Sequence, residues 1–117
     1  MHYLLMLYVD ESGWPRLTPD EQQRGMAAYM AYTAALTEAG VLRGVGRLRP
    51  TAEAATVRQG AGGAEVLDGP YAETKEQLGG YFLIEVPDRA SALAWAARCP
   101  AAGHGVVEVR PLWPAPG

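Results

Sequence analysis

The stretch Asp68-Gly69-Pro70-Tyr71-Ala72-Glu73-Thr74-Lys75-Glu76-Gln77-Leu78-Gly79-Gly80-Tyr81-Phe82-Leu83-Ile84-Glu85-Val86 runs from a turn, through a short charged segment, into an apolar strand. Gly69 tolerates positive φ and Pro70 holds φ at about −65°, so the backbone changes direction there. Such a reversal gathers Glu73, Thr74, Lys75 and Glu76 at one place on the rim of a sheet. Past the two glycines, Tyr81–Val86 reads as a strand whose Tyr81 and Leu83 face one way and Phe82 and Ile84 the other.

Just upstream, Ala55–Gln59 and Ala64–Leu67 flank Gly60-Ala61-Gly62-Gly63, the pattern of a hairpin closed by a glycine turn. Before it, Val41 to Arg49 leads into a strand that Pro50 closes. Thr18-Pro19-Asp20-Glu21 is a helix start with Thr18 as cap, and Gly40 ends that helix, which therefore covers residues 19 to 39. Met26, Tyr29, Met30, Thr33 and Leu36 predict its apolar stripe. The chain opens on His2–Val9, a buried central strand bounded by Asp10-Glu11-Ser12-Gly13. Downstream, Asp88 caps a second helix with Ala90, Leu93, Ala94 and Ala97 inward and Trp95 at the core edge. Pro100 stops it, and a last strand covers Val106–Leu112.

The order strand, helix, strand, hairpin, strand, helix, strand predicts an α+β fold. It is a ferredoxin-like βαββαβ sandwich with an extra hairpin, its two helices on one face of an antiparallel sheet. The other face is apolar in the first strand and in Tyr81–Val86, so a second copy of the chain is expected to cover it. At 117 residues one domain, 1–117, accounts for the chain. The N-terminus lacks a signal-peptide pattern and no apolar run approaches a membrane span, so a cytoplasmic protein without membrane contact is expected. A net charge of −3 argues against nucleic acid as partner, although four of the ten Lys and Arg residues lie between Arg43 and Arg58. The lone Cys99 excludes an intrachain disulfide. With two distant histidines, no metal site and no cofactor are expected.

The Asp68–Tyr81 run resembles the signature of the YCII-related proteins, DGPF subgroup, with Tyr71 in place of the usual Phe. Tyr8-Val9-Asp10-Glu11 and Val107-Glu108-Val109-Arg110-Pro111 are also similar to that family. The resemblance implies a dimeric α/β-barrel assembly of ferredoxin-like protomers. It implies a largely unassigned biochemical role, with some members proposed to be enzymes using a His–Asp pair. It also implies a link of the subgroup to sigma-factor-dependent regulation.

Two sets of residues are candidates for chemistry. If the first strand and Tyr81–Val86 are parallel neighbours, the Asp-Gly-Pro segment lies beside His2 and near Arg47 and Arg49. That arrangement collects Asp68, Tyr71, Glu73, Lys75, Glu76 and Tyr81 with His2 and Arg49 into a site for a small polar or anionic ligand. A structural turn, with Asp68 accepting backbone N–H bonds and Glu73, Lys75 and Glu76 solvated, explains the same residues. At the other end, Asp10 and His104 would be neighbours able to act as a general base, or plain loop residues. The sequence thus supports a small dimeric accessory protein binding a ligand or a regulatory protein. The alternative is a cofactor-independent acid–base enzyme (isomerase, lyase or hydrolase) using Asp68 or Glu73, or Asp10 with His104.

Overall fold

The computed structural model describes residues 1–116. Four strands, β1 (His2–Val9), β2 (Leu42–Arg47), β5 (Gln77–Glu85) and β6 (Val106–Pro111), form a sheet in the order β2-β5-β1-β6. Strands β3 (Ala55–Gly60) and β4 (Gly63–Asp68) pair only with each other. Helices α1 (Pro19–Glu38) and α2 (Arg89–Arg98) complete an α+β fold compatible with the ferredoxin-like plan. Among the described residues, no helix is long and apolar enough to cross a membrane.

All ladders in the main sheet are antiparallel, including β1 with β5. This corrects the parallel pairing expected from sequence. Strands β1 and β2 are joined by a helical crossover and run the same way. Strand β5 returns between them and must oppose both. In consequence His2 stands opposite Glu85, whereas the start of β5 meets the end of β1, Val9 opposite Gln77.

The helix-facing side of the sheet carries Tyr3, Leu5, Leu7, Phe82 and Ile84, all buried. Helix α1 starts with a full capping box, in which the Glu21 N–H donates to Thr18 Oγ1 and the Thr18 N–H to Glu21 Oε1. Its inward line is Gly25, Tyr29, Tyr32 and Leu36, and Met26 and Met30 are turned outward at 51% and 70% exposure. The phase is set by tertiary contacts. Tyr32 donates its hydroxyl to the Trp95 carbonyl at 2.7 Å and meets the Phe82 ring edge-on at 5.1 Å. A Cβ at Gly25 would lie 3.2 Å from the Trp14 indole, so glycine lets that ring lie against the helix.

Helix α2 is capped by Asp88, which accepts from the Ser91 N–H, and presents Ala92, Trp95, Ala96 and Cys99 inward. The expected Ala90, Leu93, Ala94 and Ala97 stripe is rotated away from the core. The small Ala92 and Ala96 let the helix close on the sheet. Trp95 seals its edge against Tyr32, with the Arg98 guanidinium 4.3 Å above the indole. Burial pushes the Cys99 thiol upward, which suits an inert small core residue.

Among the described residues, no layer covers the other side of the sheet. Antiparallel partners share a face, so its rows run Gly44-Leu83-Leu4-Arg110, Gly46-Tyr81-Met6-Glu108 and Leu78-Tyr8-Val106. The centre is apolar and the rim charged.

Candidate functional site

The end of the sheet where β1 stops and β5 starts is built by side chains that tie three loops together. Asp10 makes a local turn: its Oδ1 accepts from the Ser12 hydroxyl at 2.6 Å and the Ser12 N–H at 3.0 Å. Those bonds, hydroxyl first, hold its carboxyl below the usual range, with Arg16 and Lys75 adding attraction. The Glu11 N–H donates to Gln77 Oε1 at 3.0 Å, and the Glu11 carboxylate accepts from the N–H and hydroxyl of Thr51. The Gln77 amide donates in turn to the Thr74 carbonyl. Glu11, Gln77 and Thr51 thereby lock the exit of β1, the start of β5 and the turn after β2.

On the helix side of this corner, the Arg47 guanidinium lies 5.6 Å from the Trp14 ring centre. No carboxylate pairs with Arg47 among the described residues. The Gln22 amide donates to the Trp14 carbonyl and fixes the Trp14 loop on α1. One turn along α1 from Gly25, the Tyr29 hydroxyl reaches His104 Nε2 at 3.4 Å. Burial, reinforced by the Cys99 thiol, pushes Tyr29 up to about 12, and the charge of Arg47 opposes the shift. Two pairs therefore lie along this end of the molecule, Arg47 with Trp14 and Tyr29 with His104, and the charge of Arg47 reaches Tyr29. A guanidinium stacked on one indole and paired with no carboxylate among the described residues can hold a small carboxylate or phosphate.

The residues expected from sequence distribute differently. Asp68, Tyr71, Glu73 and Lys75 are exposed at the root of the β3–β4 hairpin and along the segment leading into β5, with Glu76 half-buried beside them. Thr74 donates its hydroxyl to the Glu76 carbonyl, so this segment is a bonded bend. Gly69 takes φ 101°, which is the reversal the Asp-Gly-Pro run demands. Tyr71 is 78% exposed with Arg58 6.0 Å from its ring centre. Arg49 pairs with Glu53 in solvent. Tyr81 belongs to the open sheet face, where its ring covers Gly46 so closely that a Cβ there would clash with it.

His2 is at the far end of the sheet and is not part of this neighbourhood. It lies 3.7 Å from Glu85, which is also bound by Arg43 at 3.0 Å. That bond from Arg43 and then the charge of His2 keep the Glu85 carboxyl below its ordinary value. Asp10 and His104 share one end of the sheet, as expected, yet no hydrogen bond or ion pair joins them among the described residues. Asp10 serves Ser12, and His104 turns to Tyr29. Every carboxyl group with a shift, Asp10, Glu21, Glu85 and Asp88, is lowered by a cap, turn or ion pair, the opposite of a carboxyl tuned to act as an acid near neutrality. The sequence reading missed Trp14, Tyr29 and Glu11, and had Arg47 only as a neighbour of the Asp-Gly-Pro segment.

Open grooves among the described residues include two on the helix side. One, of about 570 Å³, follows the outer flank of α1 from Tyr29 past Met30 and Thr33 to Glu38. The other, of about 310 Å³, lies between α2 and β6 and is lined by Leu93, Ala97, Val107 and Val109 among others. Neither holds a convergent set of polar groups.

The family model of the YCII-related domain matches residues 1–116. The chain is also similar to an uncharacterised protein of Rhizobium meliloti (strain 1021), 43% identical over 114 residues that cover 96% of this chain and 92% of that relative.

Proposed function

The chain belongs to the YCII-related domain family, and from that premise we propose that it is a homodimeric binding protein. Two copies pack their open sheet faces together in a dimeric α/β barrel, and each copy offers the Arg47–Trp14–Tyr29–His104 corner to a small anionic ligand. The observation that carries the reading is the uncovered face of Leu4, Met6, Tyr8, Leu78, Tyr81 and Leu83. An apolar sheet face of this extent is hidden in water by another layer, and face-to-face sheets pack at about 10 Å. The rim supports a self-complementary contact, because His2, Arg43 and Arg110 alternate with Glu85 and Glu108.

Asp68, Tyr71, Glu73, Lys75 and Glu76 keep a supporting role in this proposal, with Lys75 adding positive potential near Asp10 at the same end of the sheet. A place in sigma-factor-dependent regulation, with a regulatory protein as further partner, rests on the family resemblance alone.

The ligand part has a direct test. Titration calorimetry with small carboxylates and phosphate monoesters is expected to find one class that binds, with Arg47→Ala weakening it at least about tenfold, the loss of one charge-assisted contact. Arg49→Ala, whose partner is Glu53, leaves the affinity unchanged. Heat from neither class ends the anion assignment and leaves the dimer standing.

The Tyr29–His104 contact favours one second reading, a cofactor-independent acid–base enzyme in which the imidazole takes a proton and the phenol orients it. His104→Ala would then abolish turnover while the same ligand still binds. In a binding protein the change lowers affinity and there is no turnover to lose.

A further inference from the structure

The β3–β4 hairpin is unlike every other element. Ala55, Val57, Arg58 and Gln59 of β3 and all of β4 are exposed, and the hairpin forms no sheet with the rest of the chain. Val57 and Val66 stand opposite each other, so they share one face with Ala64, and both are 64% exposed. Leu67, at 63%, lies on the other face with Arg58 and Glu65. A lone two-stranded hairpin is marginal in water, and an uncovered valine pair adds nothing to hold it. Its tie to the root is short: the Gly69 N–H donates to the Ala54 carbonyl and the Thr56 hydroxyl to the Gly69 carbonyl.

Global dimensions point the same way. The radius of gyration is 16.4 Å, whereas a compact chain of this length has about 13 Å. The exposed surface is 8292 Å², about 2,000 Å² above that of a compact monomer of this mass. A standard interface takes about 800 Å² from each partner, so an excess of this size calls for more than one sheet face to be covered. The extents are 50 × 48 × 18 Å. Two of the three exceed the diameter of a rounded chain of this length, as expected when an element projects from the main body.

We infer that the Ala55–Asp68 hairpin is a clasp: its Val57–Val66 face lies on the second copy of this chain, and two reciprocal arms bind the paired sheets. The inference rests on the sheet-to-sheet dimer proposed above. A second copy fits because the hairpin is rooted between β2 and β5, the strands that carry Gly44, Gly46, Tyr81 and Leu83 of the face to be covered. Reach is sufficient. Six residues of strand span about 20 Å, against a sheet-to-sheet spacing of about 10 Å. The charged pair Arg58 and Glu65 stays on the side away from the valines.

Hydrogen exchange read by mass spectrometry, together with light scattering, tests the clasp on the full chain. In the dimer, amides of residues 55–68 are expected to exchange at least about tenfold more slowly than in the monomeric Leu83→Asp variant. Equal rates in the two, whether fast or slow, overturn the clasp. A wild-type chain that scatters as a monomer overturns the dimer itself, so the two failures are distinct. The exposed pair Val57→Asp and Val66→Asp gives a second reading that does not depend on Leu83. With the clasp, the dissociation constant of the dimer rises at least tenfold, and an unchanged constant in a folded double variant contradicts it.

Discussion

Leu83→Asp is expected to turn the dimer into a folded monomer. Leu83 sits on the open face between Leu4 of β1 and Gly44 of β2. In a single copy it is partly exposed, so a carboxylate there stays hydrated and the fold survives. In the dimer the same carboxylate is buried without a cation. An unpaired buried charge costs several kcal/mol, and two-fold symmetry introduces it twice, so the dissociation constant rises by about a thousandfold or more. Light scattering reads the loss of mass, and an unchanged far-ultraviolet dichroism spectrum shows that the monomer is folded. A variant that keeps the dimer mass would place the contact elsewhere on the chain.

Leu5→Ala is expected to have the largest effect on stability. Leu5 is completely buried at the centre of β1, opposite Phe82 on one side and Val109 on the other. The rigid ladders on both flanks prevent collapse of the space left behind. Removing a buried leucine side chain under such conditions costs about 2–5 kcal/mol, a large part of a total stability of about 5–15 kcal/mol. Thermal unfolding should shift down by on the order of 10 °C. Leu93→Ala, at a side chain 43% exposed on α2, serves as the contrast and should shift it by much less. Equal shifts in the two would mean that the core is not centred on β1.

Much of this architecture is legible in the chain because its punctuation is local. Thr18 and Glu21 close on each other within one turn, Asp88 reaches only to Ser91, and Gly69 supplies the positive φ that its turn needs. Helix phase is a different matter. Residues 26, 29, 30, 32, 33 and 36 of α1 are apolar or nearly so around more than half the helix. Only the distant Phe82 and Trp95 select Tyr32 over Met30 for the core. The direction of β5 was derivable, since a strand returning beside a parallel crossover pair must oppose both. Taking it as parallel set His2 among the Asp-Gly-Pro residues, when the strand instead joins His2 to Glu85 at the other end.

The candidate site was less legible for the same physical reason. Trp14, Tyr29, Arg47 and His104 belong to a loop, a helix, a strand end and a second loop, and no spacing links them. The Glu11–Thr51 and Glu11–Gln77 bonds that hold the corner likewise join distant segments. Charge density in the sequence marks segment 73–76, yet density on an exposed bend brings no convergence.

Whether a second copy covers the open sheet face is read from sedimentation equilibrium of the unmodified chain. At tens of micromolar it should give twice the chain mass of 12.5 kDa. A single mass of 12.5 kDa across the whole concentration range would leave Leu4, Met6, Tyr81 and Leu83 in water and rule out the sheet-to-sheet dimer.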